Sequence, residues 1–237
     1  LLNYLWMTAV DGAWDSGLTV IYRAGRAVGR IAFVLFAHKI VEGFWHTRSR
    51  GKFLLRLGLF ALGSEIPFDL AFSGVIIDWK SQNIFFTLLI GVLVLTLWDR
   101  LAGERGAVYG VMRWFVLLSG CMAAYLGNTD YRYMGVLLIF AFYMTYDMKL
   151  SDKVILSGIV MLLGTWSCNC LRYLDAGYTV AELFQVSMRE MYGLAAFIPL
   201  AFYDGTKGRQ LPKWFCYGFY PAHLLFLYGA ARYIGVM

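Results

Sequence analysis

Charge is scarce in this sequence. Only 15% of the 237 residues are Asp, Glu, Lys or Arg, while 60% are hydrophobic. A soluble globular domain carries roughly 25% charged residues, so that class is excluded. Proline is also rare, with four in the chain. No low-complexity linker or internal repeat divides the sequence, and residues 1–237 read as one integral membrane domain. The four cysteines, Cys121, Cys168, Cys170 and Cys216, form no CxxC pair. Cys168 and Cys170 lie close together, but no nearby histidine completes a ligand set, so no metal site is expected. They read as small apolar packing residues. There is no P-loop, GxSxG, HExxH or dinucleotide fingerprint, and nothing points to nucleic acid. No cleavable signal peptide is evident. The chain opens on Leu1, so residues upstream can be missing.

What is present is apolar sequence in long runs. Ile84 to Trp98 contains no charge at all. A bilayer core needs about 20 mostly apolar residues per helix. The pattern predicts an all-α polytopic transmembrane bundle of about nine helices. Expected spans are roughly 1–20, 28–46, 53–72, 83–99, 108–126, 133–148, 153–171, 180–203 and 214–235. Aromatics make up 18% of the chain, enough for interfacial belts of Trp and Tyr. The lipid bilayer is therefore the first partner, and the net charge of +6 reads as basic cytoplasmic loops. One set of connections carries Arg48, Arg50, Lys52, Arg56, Arg100, Arg105, Arg113, Lys149, Lys153, Lys207, Arg209 and Lys213. The other carries Arg23, Arg26, Arg30, Lys80, Arg132 and Arg172. The richer set should face the cytoplasm, which places the N-terminus inside and the C-terminus outside. The three arginines of the first loop run against that rule.

A charge inside a membrane helix costs about 2.5–3.5 kcal/mol on insertion scales, so each one needs a partner or a task. His38, Glu42 and His46 step by four and share one helix face. They can bind a cation, relay protons, form a general base oriented by a carboxylate, or simply tie helices together. Lys39 lies off that face and is expected to pair with a carboxylate, Glu65 being one possibility. Ser64-Glu65-Ile66-Pro67-Phe68-Asp69 places two acids four apart around a proline that removes a helical hydrogen bond. Such a break is tolerated at membrane depth where a cavity re-satisfies the backbone. Arg48, Arg50, Lys52 and Arg56 follow His46 closely. They form either an ordinary positive anchor or an anion site fit for phosphates. Arg189 and Glu190 are sequence neighbours that face different ways, so each needs a partner on another helix, and Gln185 lies one turn before Arg189. Pro221 precedes His223, repeating a proline beside a titratable group.

Several of these stretches resemble the TraX family. They are Gly29-Arg30-Ile31-Ala32-Phe33, Phe36-Ala37, Val41-Glu42-Gly43-Phe44-Trp45-His46-Thr47-Arg48, Leu54-Leu55-Arg56, and Ser64-Glu65-Ile66-Pro67-Phe68-Asp69-Leu70. Gln82-Asn83-Ile84-Phe85-Phe86-Thr87-Leu88 continues the likeness. Tyr217 to Tyr220 with Pro221-Ala222-His223-Leu224-Leu225 closes it. The block from 29 to 91 is the specific part, and 105 to 180 matches in general character only. The resemblance implies a bacterial inner-membrane acetyltransferase using cytosolic acetyl-CoA, the family case being N-terminal acetylation of a pilin subunit. The family usually carries an Asp-His pair in its first helix. Here Asp11 is followed by Gly12, and His38 falls where the family has an apolar residue, so His38 is a candidate substitute base.

The expected mechanism uses His46 or His38 as base, oriented by Glu42, with His223 as the alternative. Glu65 and Asp69 hold the acceptor, and Gln82 and Asn83 donate to the carbonyl oxygen. Arg48, Arg50, Lys52 and Arg56 hold the coenzyme A phosphates. A route through an acetylated histidine is equally allowed. The acceptor is an amine or hydroxyl on a pilin-like peptide or a small molecule. A transporter and a non-catalytic assembly protein are the competing readings. The sequence carries no sign of oligomeric state.

Overall fold

The computed structural model describes residues 16–206 and 213–233. Its helices are α1 (Ser16–His46), α2 (Arg50–Ser73), α3 (Ile84–Ala102), α4 (Ala107–Leu126), α5 (Arg132–Met144) and α6 (Leu150–Tyr173). They continue as α7 (Val180–Met188), α8 (Phe197–Ala201) and α9 (Lys213–Tyr233). Two 3-10 segments, Leu174–Ala176 and Arg189–Ala196, join α6 to α7 and α7 to α8. Among the described residues there is no strand, only an isolated bridge between Gln82 and Thr129.

The helices start and stop for local reasons. Ser49 caps α2 by accepting the Lys52 N–H at 3.4 Å, and Gly74 closes it at φ 71°, donating to the Leu70 carbonyl. That left-handed turn is open to glycine at little cost. Asn83 caps α3, accepting the Phe85 N–H at 2.9 Å. Thr179 and Glu182 form a reciprocal capping box on α7. Pro67 and Pro221 both sit within continuous helices. Each removes one backbone donor without interrupting the helix, so the expected break in the expected third span is only a lost hydrogen bond.

The packing core runs through α1, α3 and α5, with Phe33, Val34, Val41, Val92, Leu95, Leu138 and Ile139 all buried. Close helix approach is set by glycine. A Cβ at Gly120 of α4 would stand 2.1 Å from Val94 Cγ2 on α3, and one at Gly91 would stand 2.5 Å from Ile139 Cδ1. Small residues at such contacts are the usual means by which helices approach in lipid.

Among the described residues, three helical segments are long and apolar enough to cross a membrane: Ile84–Ala102, Ala107–Leu126 and Leu150–Ala176, with mean hydropathies of 2.0, 1.5 and 1.8. The outer face of α4 carries Val108, Val111, Phe115, Leu118, Met122 and Leu126, all exposed. A stripe of that size suits lipid better than water. The expected nine spans are not all recovered. One unbroken helix, Ser16–His46, replaces the expected loop at 21–27, so Arg23, Arg26 and Arg30 are helical rather than loop cations. Residues 1–15, including Asp11 and Gly12, lie outside the described residues, as do Lys207 and Arg209. The expected eighth span is divided into α7, a 3-10 segment and α8. Helix α5 has 13 residues, about 20 Å at 1.5 Å per residue, less than the roughly 30 Å of a bilayer core.

Candidate functional site

The residues singled out from sequence fall at two ends of the bundle. Helix α3 measures the separation. Its cap Asn83 bonds Glu65 at one end, and Asp99 bonds Arg50 at the other. Sixteen residues at 1.5 Å each place these contacts about 24 Å apart along the axis.

At the first end α1 finishes, α2 begins, and the ends of α3 and α5 meet the starts of α4 and α6. His38 is half-buried on α1. Its ring meets Phe142 edge-on at 5.4 Å and Tyr203 at 6.4 Å, and its Nδ1 is buried with no hydrogen-bond partner. One turn on, the Glu42 carboxylate binds Lys39 Nζ at 2.7 Å and accepts the Tyr203 hydroxyl. Lys39 also lies 3.4 Å above the centroid of the Tyr203 ring. These three side chains form a closed set: an ion pair, a charge-assisted hydrogen bond and a cation–π contact. The acid expected as a partner for Lys39, Glu65, is at the other end, and Glu42 takes that place. His46 is exposed at the end of α1, and its Nδ1 meets the Glu42 backbone carbonyl at 2.9 Å rather than the carboxylate. Lys153, on α6, approaches the Tyr146 ring at 5.8 Å.

The four cations after His46 divide. Arg48, Lys52 and Arg56, with Thr47, Ser49 and Leu55, line an open depression of about 440 Å³ at the N-terminus of α2. The unpaired backbone N–H groups of a helix start favour an anion. Arg50 turns away from it, pairing with Asp99 at 2.6 Å and lying 4.5 Å over the Phe44 ring. Asp99 also accepts the Tyr143 hydroxyl at 3.1 Å. Arg50 is therefore occupied within the bundle.

At the second end, α2 finishes against the start of α3 and against α9. Glu65 Oε2 accepts from both the backbone N–H of Asn83 and its side-chain Nδ2. Nδ2 also donates to the Ala61 carbonyl at 2.7 Å. Both amide protons of Asn83 are committed, which leaves none for a substrate oxyanion. Gln82 donates its side chain to the Trp79 carbonyl at 3.4 Å and its backbone N–H to Asn128. Asp69 is buried and accepts the Asp78 N–H at 2.7 Å. In the loop, the Ser73 hydroxyl donates to Asp78 at 2.6 Å and the Lys80 N–H follows, holding that carboxyl below its usual range. His223 stacks on Phe219 at 5.4 Å, and its Nδ1 meets the Phe219 carbonyl at 3.1 Å. Glu190 finds its partner on another helix, Arg30, at 2.7 Å. Gln185 and Arg189 are exposed.

Sequence reasoning missed Tyr203, Asp99 and Tyr143. Tyr203 lies 161 positions beyond Glu42, in a short stretch after α8, and nothing in spacing connects the two. Asp99 carries a weak signal, as an acid at the end of an otherwise apolar helix.

A family model described as TraX protein matches residues 14–231, nearly the whole chain, and the chain belongs to the TraX family. No curated protein and no solved structure matches it.

Proposed function

Starting from membership of the TraX family, we propose that the chain is a membrane acetyltransferase. It moves an acetyl group from acetyl-CoA to an amine or hydroxyl acceptor. The observation that carries this reading is the family match over residues 14–231, which fits the family's link to pilin acetylation. The geometry supports it through what it places at one end of the bundle. The basic depression of Arg48, Lys52 and Arg56 lies at the same end as the His38–Glu42–Tyr203–Lys39 group.

In this reading the depression holds the coenzyme A phosphates by charge and by the helix start. The donor belongs on the cytoplasmic side of a bacterial inner membrane, where a basic rim is expected. His38 is the general base, because its Nδ1 is free of partners and sheltered. It takes a proton from the acceptor, whose nitrogen or oxygen attacks the thioester carbonyl. The new C–N or C–O bond forms, the oxyanion collapses, and the C–S bond breaks. The thiolate leaves as coenzyme A after taking back the proton from His38. Lys39 and Lys153 supply positive charge for the oxyanion, a role expected from sequence for Gln82 and Asn83. Glu42 and Tyr203 hold Lys39 in place. His46 is exposed and serves as the second candidate base.

The test is transfer of radiolabelled acetyl from acetyl-CoA in purified, detergent-solubilised protein. His38→Ala should lower the rate by roughly 10²–10⁴-fold while acetyl-CoA binding stays intact. Full activity in that variant would remove His38 from the mechanism. Full activity in both His38→Ala and His46→Ala would remove the base at this end altogether.

A further inference from the structure

At the acid end of the bundle, where Glu65 and Asp69 lie, the loop at 74–83 joins α2 to α3 and is apolar where a connection is ordinarily polar. Val75, Ile76, Ile77 and Trp79 are all exposed, Trp79 by 82%. A loop that runs through water is built from polar and turn residues, and large apolar side chains left in water forgo the free energy of burial. The loop is nevertheless held in one shape. Gly74 donates its N–H to the Leu70 carbonyl. The Asp78 N–H donates to Asp69 Oδ2 at 2.7 Å, and the Asp78 carboxylate accepts the Ser73 hydroxyl at 2.6 Å and the Lys80 N–H at 3.1 Å. The Gln82 N–H donates to the Asn128 carbonyl at 3.1 Å, and the Asn83 N–H donates to Glu65 Oε2 at 3.3 Å. The backbone donors of Gly74, Asp78, Lys80, Gln82 and Asn83 are thus satisfied within the chain, two of them by the buried-side carboxylates of α2. Internal satisfaction of this kind is what backbone needs at membrane depth, where water does not reach it.

Helix length sets that depth. The uncharged run of α3, from Ile84 to Trp98, ends at Asp99 and Arg100, which mark one boundary of the bilayer. Fifteen residues at 1.5 Å each give about 22 Å, some 8 Å short of the roughly 30 Å hydrocarbon core. The loop before Ile84 occupies the missing depth. Helix α2 leads lipid to the same place: Leu55, Leu59, Leu62 and Ile66 are exposed along one of its faces. We propose that the 74–83 loop is a preformed lipid-contact element. Val75, Ile76, Ile77 and Trp79 sit in the phospholipid leaflet at the acid end, with Trp79 and Lys80 at headgroup level, where an indole and an ammonium on an apolar stem are both well placed. Asp69 and Glu65 supply acceptors for backbone N–H groups that lipid cannot satisfy. This gives the two acids a task that does not depend on the transferase reading.

The experiment is fluorescence quenching of the full chain in phosphatidylcholine vesicles, with the emission of Trp79 taken as wild type minus Trp79→Phe. One set of vesicles carries bromine near the carbonyl end of the acyl chains, and iodide is the aqueous quencher. The Trp79 emission should lose most of its intensity in brominated vesicles and little to iodide. Because Trp79 is exposed, Trp79→Phe should fold. Ile76→Trp, added to the wild-type chain, is a second reporter that does not rely on that subtraction partner, and its added emission should behave alike. Iodide quenching equal to or above that by brominated lipid would overturn the proposal, since the loop would then face water. Quenching by neither would overturn it too, since the loop would then be covered by protein. Asp69→Ala, which removes the acceptor of the Asp78 N–H, should raise iodide quenching of Trp79, whereas Asp69→Asn keeps an oxygen there and should not. Equal behaviour of these two variants would overturn the role given to Asp69.

Discussion

The two ends of the bundle handle buried charge in opposite ways. At the basic end two cations of α1 and α2 are matched within the bundle. Lys39 has Glu42 and the Tyr203 ring, and Arg50 has Asp99 and the Phe44 ring. The cations of the depression there, Arg48, Lys52 and Arg56, are open to solvent. At the acid end the unmatched groups are anionic and buried, on Glu65 and Asp69. An exposed cation loses little by waiting for a phosphate, because water solvates it. A buried carboxylate oxygen has no such reserve. The basic end therefore suits an anionic ligand that comes and goes.

Substitutions can separate the ends. Tyr203→Phe removes a charge-assisted hydrogen bond to Glu42, worth about 1.5–3 kcal/mol. Acetyl transfer should fall by roughly 10–150-fold, because Lys39 and Glu42 lose the group that fixes them. Asn83→Ala should do the reverse. It removes the cap of α3 and the Glu65 partner, with a stability cost of about 0.5–2 kcal/mol from the cap alone. A lower Tm with unaltered acetyl-CoA affinity would sharpen the contrast, whereas a loss of acetyl-CoA binding would break it.

Much of the fold was legible because lipid imposes a strong pattern. The uncharged run from Ile84 to Trp98, expected as a span over 83–99, lies in α3, which starts at Ile84 and continues to Ala102. The spans that differ do so where the pattern is weak. Arg23 and Arg26 read as a loop because cations usually mark loops, yet both lie within the helix Ser16–His46, where Arg26 is exposed. The acidic turn around Pro67 was visible in sequence as two acids four apart on an apolar helix, open to a reading as a site or as a simple proline kink. The pairing of Asp99 with Arg50 was not visible, because it depends on how α2 packs against α3. Tyr203 was hidden for the same reason: its partner is 161 positions away, and no periodicity spans that distance.

Acetyl-CoA binding by calorimetry, comparing wild type with the Lys52→Ala/Arg56→Ala double variant, tests the central claim most directly. Both side chains line the open depression, and each charge-assisted contact to a phosphate is worth about 1.5–3 kcal/mol. The account predicts saturable binding by the wild-type protein, weakened at least roughly tenfold in the variant, with Arg50→Ala showing a smaller effect because Arg50 faces Asp99. No binding by folded wild-type protein at millimolar acetyl-CoA, or equal binding by the double variant, would contradict it.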